Sequence, residues 1–215
     1  MSDYRELLLG CGHARDKRMM SPGRMVEGWS NLITLDKNSA CNPSVVCDLE
    51  NPWRTHFTFD WDIPDSDAMV ADDMVAFIGA VDQYIFRESI FDEVHAYEVL
   101  EHLGSQGDAL AFFTHFSEIW RILKPDGFLC ATVPSRYSPW LWGDPSHRRL
   151  INEESLSFLD QDNYRQLDGP RPTPMSDFRS IYRADFKVIE RQDNHKQFFF
   201  ILQAVKPSRV RERIP

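Results

Sequence analysis

Tyr4-Arg5-Glu6-Leu7-Leu8-Leu9-Gly10-Cys11-Gly12 is the stretch of sequence that decides the fold. Its three consecutive leucines, preceded by polar residues and closed by Gly-Cys-Gly, are typical of a strand buried on both faces of a parallel sheet. Gly10 and Gly12 permit a sharp turn and the close approach of a ligand to the backbone. A short helix, followed by a loop, is expected within residues 13–28, and its free N–H groups would face that ligand. The stretch therefore predicts the floor of a nucleotide-like cofactor site.

Composition and charge set broad limits on the function. The chain has 215 residues, 42% of them hydrophobic and 27% charged, which is typical of one globular domain, here expected over residues 1–205. No apolar run approaches the ~20 residues of a membrane helix, and no basic and apolar leader opens the chain, so a cytoplasmic protein is expected. The net charge of −9 disfavours duplex nucleic acid as a partner. The basic stretch 206–215 is expected to be a solvated tail.

The four cysteines show no metal-binding or redox spacing. Cys11, Cys41, Cys47 and Cys130 form no Cys-x-x-Cys pair, and three of them fall in or beside apolar, strand-like stretches. We therefore expect reduced thiols that are buried or half-buried.

Short apolar runs that end in polar residues predict an α/β protein with a mostly parallel sheet and helices on both faces. Besides the first run, strands are expected at 31–36, 43–48, 91–96, 128–133, 185–190 and 197–205, the last two as an antiparallel hairpin at the sheet edge. An amphipathic helix is expected over 109–123, ended by a turn at 124–127. A second, shorter helix is expected over 152–159, with Asn152 as its N-cap.

Residues 51–89 interrupt this alternation as an insert. Their first part is acidic and aromatic and is interpreted as a loop. Apolar residues at helical spacing from Val70 to Ile85 then predict a helix. Its apolar stripe would pack on the core or form the contact of a homodimer through residues 70–85, since long connections often serve as lids or contact surfaces.

Carboxylates at the ends of the second and third strands indicate which cofactor the site binds. Asp36 lies about two dozen residues after Gly12, where an acid can accept hydrogen bonds from two ribose hydroxyls. Asp48 and Leu49 follow the third strand and could offer a carboxylate to an adenine amino group and an apolar wall to its ring. NAD is the alternative, but its pyrophosphate favours a third glycine where this chain has Arg15. The pattern therefore favours S-adenosylmethionine (SAM), which carries no phosphate.

Five motifs together resemble class I SAM-dependent methyltransferases. They are, in chain order, L-L-L-G-C-G, L-I-T-L-D, V-V-C-D-L, F-D-E-V-H-A-Y-E-V-L-E-H and F-S-E-I-W-R-I-L-K-P-D-G-F-L-C-A-T-V-P. The resemblance covers residues 4–150 and is closest to the small-molecule type that includes the ubiquinone-pathway O-methyltransferases. The chain is also similar to methyltransferase-like proteins encoded by bacteriophages, including their W-G-D-P-S-H stretch. Departures are Ala14, where many members have glycine, Asp126 in place of a second glycine, and the long insert.

The resemblance implies a Rossmann-like, seven-stranded sheet and a cofactor site carried over residue by residue. Its members would be Gly10, Cys11 and Gly12 at the methionine part of SAM, Asp36 and Lys37 at the ribose, Asp48 and Leu49 at the adenine, and Tyr97 and Glu98 after the fourth strand. Each of these residues also has an ordinary structural explanation, and it is their joint pattern that favours a SAM site.

Glu101, His102 and His147 are the three candidates for the chemistry of methyl transfer. A hydroxyl or amine acceptor must lose a proton, and His102 and His147 could act as the base. Glu98, Glu101 and His102 have i, i+3 and i+4 spacing, which predicts one helical face that could hold a divalent cation such as Mg²⁺, with His147 as a fourth ligand. This motif resembles the metal-binding one of small-RNA 2′-O-methyltransferases and ubiquinone-pathway O-methyltransferases. Many related proteins carry E-V-L-E-H without a metal, so the alternative is a metal-free site.

The acceptor is less well defined than the cofactor. Tyr137, Trp140 and Trp142 could stack on a planar or sugar-like acceptor or could pack internally. Arg148 and Arg149 could neutralise an anionic substrate, but solvent exposure is the favoured interpretation for both. The resulting hypothesis is a methyltransferase that acts on an oxygen or nitrogen nucleophile of a small molecule or nucleotide. The alternatives are a non-catalytic binding or assembly protein that retains this fold and, disfavoured by Arg15, an NAD-dependent oxidoreductase.

Overall fold

The structure, a computed structural model, describes residues 4–25, 27–50, 85–168 and 175–211. Seven strands form one sheet in the order β3-β2-β1-β4-β5-β7-β6. They are β1 (Glu6–Leu9), β2 (Leu32–Asp36), β3 (Val45–Val46), β4 (Phe91–Tyr97), β5 (Leu123–Pro134), β6 (Phe186–Asp193) and β7 (Gln197–Ala204). Pairing is parallel from β3 to β5, and β7 is antiparallel to both of its neighbours. The predicted mostly parallel sheet with a C-terminal antiparallel hairpin is therefore confirmed. The insert helix and its proposed dimer contact fall on residues 51–84 and lie outside the described residues.

Among the described residues, three α-helices and four short 3-10 segments connect the strands. The helices are α1 (Ala109–Ile122), α2 (Trp140–Gly143) and α3 (Glu153–Leu156). The 3-10 turns are Ser39–Cys41, Leu100–His102, Ser157–Leu159 and Gln161–Leu167. Asn152 caps α3 as predicted, because its side chain accepts a hydrogen bond from the Ser155 N–H at 3.0 Å. None of the helices in the described parts of the chain is long and apolar enough to cross a membrane.

One face of the sheet is closed by apolar packing. Every second residue of the central strands points to this side, and Leu7, Leu9, Val94 and Leu129 have no exposed surface. The apolar stripe of α1 covers them through Phe113, Phe116, Ile119 and Ile122. The predicted amphipathic helix is thus confirmed, with its buried side where the spacing puts it.

The opposite face is covered by segment 13–30, and the described residues of this segment, 13–25 and 27–30, form no helix. The helix predicted directly after Gly12 is therefore wrong. Pro22, Gly23 and Gly28 disfavour a continuous helix, and the sheet offers this segment polar groups instead of an apolar surface. Glu6 of β1 and Glu93 and His95 of β4 lie on this face and are completely buried.

Buried ionic contacts hold segment 13–30 against this face. The Lys17 ammonium pairs with Glu6 and lies 3.0 Å from Glu93 Oε2, and all three side chains are at most 4% exposed. His95 Nε2 lies 2.7 Å from Glu93 Oε2, and the Tyr97 hydroxyl lies 2.6 Å from His95 Nδ1. These contacts form a buried ion network of five residues, namely Lys17, Glu6, Glu93, His95 and Tyr97.

Two further expectations are corrected by the structure. The turn predicted at 124–127 is a bulge within β5, since Phe91 pairs with Leu123 and Glu93 pairs with Phe128. The start of the basic tail is anchored and is not a solvated terminus. Lys206 Nζ donates to the Ser89 hydroxyl at 3.1 Å, and the Arg209 guanidinium pairs with Asp160, Asp162 and Asp185.

Candidate active site

A cavity of about 420 Å³ lies at the carboxyl ends of the parallel strands. Its lining residues are Gly10, Leu35, Asp36, Lys37, Cys47, Asp48, Leu49, Glu50, Glu98, Val99, His102, Leu103, Ser146 and Arg148. The first eight lie in or after β1, β2 and β3 and are called the first wall here, and the last six follow β4 and β5 and are called the opposite wall. This edge of an open α/β sheet is where ligands bind, and the volume is typical of a site for a small molecule.

Asp36 is held in a fixed orientation at the end of β2. The Gly12 N–H donates to Asp36 Oδ2 and the Asn38 N–H donates to Asp36 Oδ1, both at 2.8 Å. Each carboxylate oxygen keeps a further lone pair for a hydroxyl donor. The Asp36 carboxylate is therefore oriented so that it could accept hydrogen bonds from the two ribose hydroxyls, as the sequence pattern predicts.

Gly10 is required by a close packing contact. Its φ is +56°, and a Cβ atom at this position would lie 2.5 Å from Val99 Cγ2. A side chain is thus excluded both by the left-handed backbone and by Val99. The first glycine of the motif lets the turn after β1 pack directly against the turn after the neighbouring strand β4.

Most of the predicted cofactor residues line this cavity. They are Gly10, Asp36, Lys37, Asp48, Leu49 and Glu98. Three predicted residues lie outside its lining: Cys11, Gly12 and Tyr97. Cys11 and Tyr97 pack with Leu8 on the face of the sheet that carries Glu6, Glu93 and His95, which we call the ionic face. The Tyr97 hydroxyl is used there as an acceptor from the Arg18 and Met19 N–H groups, both at 3.2 Å.

Glu98 does not share a helical face with Glu101 and His102. It has a left-handed φ of +56°, and its backbone N–H donates to the Thr132 carbonyl of β5 at 2.9 Å. The chain then makes one 3-10 turn at Leu100–His102, so the predicted helical spacing is wrong here. The Glu98 carboxylate instead accepts a hydrogen bond from Gln197 Nε2 at 2.9 Å.

Glu101, His102 and His147 come together beside the cavity. Glu101 Oε1 lies 3.9 Å from the Nε2 atom of each histidine, and the two imidazole rings are 4.8 Å apart, edge to face. Glu101 is completely buried, and neither of its carboxylate oxygens has a hydrogen-bond partner among the described residues. Burial raises the pKa of Glu101 to about 8, so its carboxyl group exchanges a proton near neutral pH. The structure thus brings together the three residues proposed for catalysis.

The two histidines direct their lone pairs toward Glu101. His102 Nδ1 lies 3.2 Å from the Ser146 carbonyl, and His147 Nδ1 lies 3.0 Å from the Leu141 carbonyl. A carbonyl only accepts, so each Nδ1 carries the proton and each Nε2 is free to bind a proton or a metal ion. Backbone carbonyls orient metal-binding histidines in the same way. The set Glu101, His102 and His147 therefore has the donor chemistry of a cation site or of a proton acceptor.

Sequence reasoning missed Glu50 and misjudged Arg149. Glu50 lines the cavity and pairs with Arg148 from the opposite wall, and no motif marks either residue. Arg149 was expected to be exposed but is only 5% exposed. Its guanidinium donates to the backbone carbonyls of Ser105 and Asp108 at 2.9 and 3.1 Å and thus holds the loop before α1.

Comparison with known proteins identifies the fold. No protein-family model and no curated protein sequence matches this chain. A chain of the complex between the Trm112 methyltransferase activator of Haloferax volcanii and a protein described as a methyltransferase aligns with a TM-score of 0.50 and 13% identity, over 98% of this chain and 85% of that one. A SAM-dependent methyltransferase from Archaeoglobus fulgidus aligns with a TM-score of 0.45 and 13% identity, over 93% and 86% of the two chains. The alignment with a TM-score of 0.50, together with the mostly parallel sheet and its antiparallel β7, shows the class I methyltransferase fold that the motifs predict.

Proposed function

We propose that this protein is a SAM-dependent methyltransferase that acts on an oxygen or nitrogen nucleophile of a small molecule or nucleotide. The observation that carries the proposal is the position of Glu101, His102 and His147 at the edge of a cavity whose far wall carries Asp36. One wall then binds the cofactor, and the other holds groups that can take up a proton. Such a division fits methyl transfer, where the enzyme aligns two reactants and removes one proton.

SAM fits the first wall in this proposal. Asp36 would accept from the ribose hydroxyls, Asp48 and Leu49 would face the adenine, and the backbone at Gly10 would lie near the methionine part. When bound, SAM supplies the methyl group from its sulfonium. The carboxylate of Glu98, held by Gln197, adds negative charge on the opposite wall, which suits a cationic cofactor.

The acceptor would bind on the side of Glu101, His102 and His147. His147 is anchored to α2 through the Leu141 carbonyl, and Trp140 and Trp142 of this helix are 69% and 62% exposed. Tyr137, just before this helix, is 54% exposed. These exposed aromatic side chains support a stacking contact with a planar acceptor.

A divalent cation also fits Glu101, His102 and His147. Their ligand atoms lie within 4.8 Å of one another. Two imidazoles and one carboxylate suit Mn²⁺, Fe²⁺ or Zn²⁺ better than Mg²⁺, which prefers oxygen ligands. Such a cation would polarise an acceptor oxygen and lower its pKa. Glu98 is not proposed as a ligand, because its carboxylate is bound to Gln197.

Binding measurements test the cofactor assignment without knowledge of the acceptor. Isothermal titration with SAM, S-adenosylhomocysteine and NAD should show binding of the first two only. Asp36→Asn should weaken S-adenosylhomocysteine binding by about tenfold or more, because hydrogen bonds to a charged group are lost. Asp126→Asn, an exposed acid in the β5 bulge, is the matched control. Failure to bind either SAM or S-adenosylhomocysteine would favour the non-catalytic binding or assembly protein.

The cation proposal needs its own experiment. Titration of Mn²⁺ followed by electron paramagnetic resonance should show one bound ion per chain. Glu101→Gln and His147→Asn should each abolish it, whereas His195→Asn, at an exposed histidine, should not. Equal Mn²⁺ binding by all four proteins would contradict a site at Glu101, His102 and His147 and would leave these residues the role of proton acceptors.

A further inference from the structure

The carboxylate of Glu50 joins the two walls of the cofactor cavity. Its Oε1 atom accepts a hydrogen bond from the Gly104 N–H at 2.8 Å, and its Oε2 atom pairs with the Arg148 guanidinium. Glu50 follows β3 on the first wall, whereas Gly104 and Arg148 belong to the opposite side. One side chain therefore uses both of its oxygens to bridge the site that the proposed function gives to SAM.

Each end of this bridge is fixed to its own wall. On the first wall, the Glu50 N–H donates to Asp48 Oδ1 at 3.1 Å, so the proposed adenine residue also sets the direction of Glu50. On the second wall, the Arg148 N–H donates to the Glu101 carbonyl at 2.8 Å. The bridge thus links the proposed adenine site to the backbone that carries Glu101.

The bridge lies on the solvent side of the cavity. The side chains of Arg148 and Glu50 are 46% and 30% exposed, whereas that of Glu101 is completely buried. An ion pair with this exposure contributes little to the stability of the fold, because solvent screens the charges. It can therefore open and close without unfolding the walls to which it is attached.

We propose that Glu50 and Arg148 form a latch across the mouth of the cofactor cavity, which opens each time the cofactor enters or leaves. This inference rests on the proposed function, since it takes SAM or its product as the ligand. A closed latch spans the mouth of the cavity, so it hinders entry as well as exit. Glu50 and Arg148 are thus gating residues, which act on the rate of exchange and not on the chemistry.

A latch and a ligand-binding residue differ in their kinetic effects. Removing a latch lowers one barrier that both directions share, so association and dissociation accelerate together and the Kd stays nearly constant. Removing a ligand contact accelerates dissociation and raises the Kd, while association changes little. Measuring both rate constants therefore separates the two roles.

Stopped-flow fluorescence with S-adenosylhomocysteine tests the latch on the full chain. Glu50→Gln keeps an oxygen for the Gly104 N–H and removes only the charge, and Arg148→Gln removes the other charge. Each substitution should raise both rate constants by about two- to fivefold, as expected for an exposed ion pair. The double variant should show no further increase, because the two residues act through one contact. Glu153→Gln, which removes another exposed ion pair with Arg191, is the matched control and should change neither rate.

Salt provides an independent check. Raising NaCl from about 0.05 M to 0.5 M should accelerate exchange in the wild type and leave the double variant unchanged, because salt screens only an ion pair that is present. Unchanged rates in Glu50→Gln and Arg148→Gln would overturn the latch, and so would a rise in dissociation alone. A wild-type protein that does not bind S-adenosylhomocysteine would instead refute the proposed function, and the latch with it.

Discussion

The two faces of the sheet are closed by opposite kinds of interaction. On one face, α1 packs apolar side chains such as Phe116 and Ile119 against the leucines of β1. On the other face, segment 13–30 presents Lys17 and other polar groups to the buried carboxylates of β1 and β4. Both faces exclude water, but only the second depends on charges that have specific partners.

This difference explains why α1 is a helix whereas the described part of segment 13–30 is irregular. A helix buries a continuous apolar stripe, which is what the apolar face requires. The ionic face requires hydrogen-bond donors and cations placed opposite its buried carboxylates. Glu93 is contacted by the Lys17 ammonium, by the Tyr4 and Ser21 hydroxyls and by the His95 ring. An irregular segment can direct its donors to scattered acceptors, so regular structure is not needed there.

The pKa values of the two buried carboxyl groups on the ionic face, Glu93 and Glu6, are shifted in opposite directions. Burial alone would raise the pKa of Glu93, but hydrogen bonds from His95, Ser21 and Tyr4 outweigh it and hold that pKa below its usual range. Burial raises the pKa of Glu6 above its usual range. Burial also lowers the pKa of His95, which favours a neutral ring. Glu93 is therefore the main negative charge that holds segment 13–30.

The largest expected effect comes from removing that charge. Glu93→Ala should lower the free energy of unfolding by about 3–5 kcal/mol, because Tyr4, Ser21 and His95 lose their buried acceptor and the buried Lys17 ammonium keeps only Glu6. Urea unfolding followed by circular dichroism at pH 7 measures the change. Glu190→Ala, at an exposed position of β6, is the control and should cost about 0.5 kcal/mol or less. Equal losses in the two variants would show that the ionic face does not depend on Glu93.

A truncation on the apolar face should be costly for a different reason. Ile119 of α1 has no exposed surface, and Ile119→Ala should lower the free energy of unfolding by about 2–5 kcal/mol through lost burial and a cavity. This deficit should be the same at pH 5 and pH 8, because it involves no titrating group. A deficit that changes strongly over this pH range would contradict the division of the sheet into an apolar and an ionic face.

The pH dependence of stability should distinguish the two carboxyl groups. Glu93 has a lowered pKa in the folded state, so its contribution is present above the unfolded value of about 4.3 and is lost as the pH falls. The deficit of Glu93→Gln should thus shrink by about 1 kcal/mol or more between pH 7 and pH 3. Glu6 has a raised pKa, so Glu6→Gln should gain stability relative to the wild type as the pH rises. The same trend in both variants, measured by urea unfolding, would refute the assignment of charge to Glu93.

The smallest effect is expected for an ion pair outside both faces. Arg191 and Glu153 pair at 2.6 Å with side chains that are 49% and 57% exposed. Glu153→Gln should change the free energy of unfolding by about 0.5 kcal/mol or less, because exposed pairs gain little. A loss of unfolding free energy as large as that of Glu93→Ala would show that burial does not explain why the ion pairs of the ionic face contribute more than an exposed pair.

Much of the architecture could be predicted because it depends on local patterns. The apolar run of β1, the stripe of α1 and the Asn152 cap each depend on residues close together in the sequence, and the structure has all of them. The convergence of Glu101 and His102 with His147 was also predictable in outline, since parallel strands bring their carboxyl ends to one edge. The alternation of Glu93, His95 and Tyr97 in β4 was a visible sign of a polar face, but it did not show what would cover it.

By itself, the sequence determined the positions of the strands, the mostly parallel sheet with its C-terminal hairpin, and the presence of Asp36 and Asp48 at the ends of two strands, because hydrophobic periodicity and turn residues act over short distances. Only the tertiary structure decided that segment 13–30 is irregular, that Glu98 leaves the helical face of Glu101, and that Glu50 meets Arg148. These outcomes depend on contacts between residues far apart in the chain. Glu6 and Glu93 stand on different strands, β1 and β4, and they share Lys17 because these strands are neighbours in the sheet.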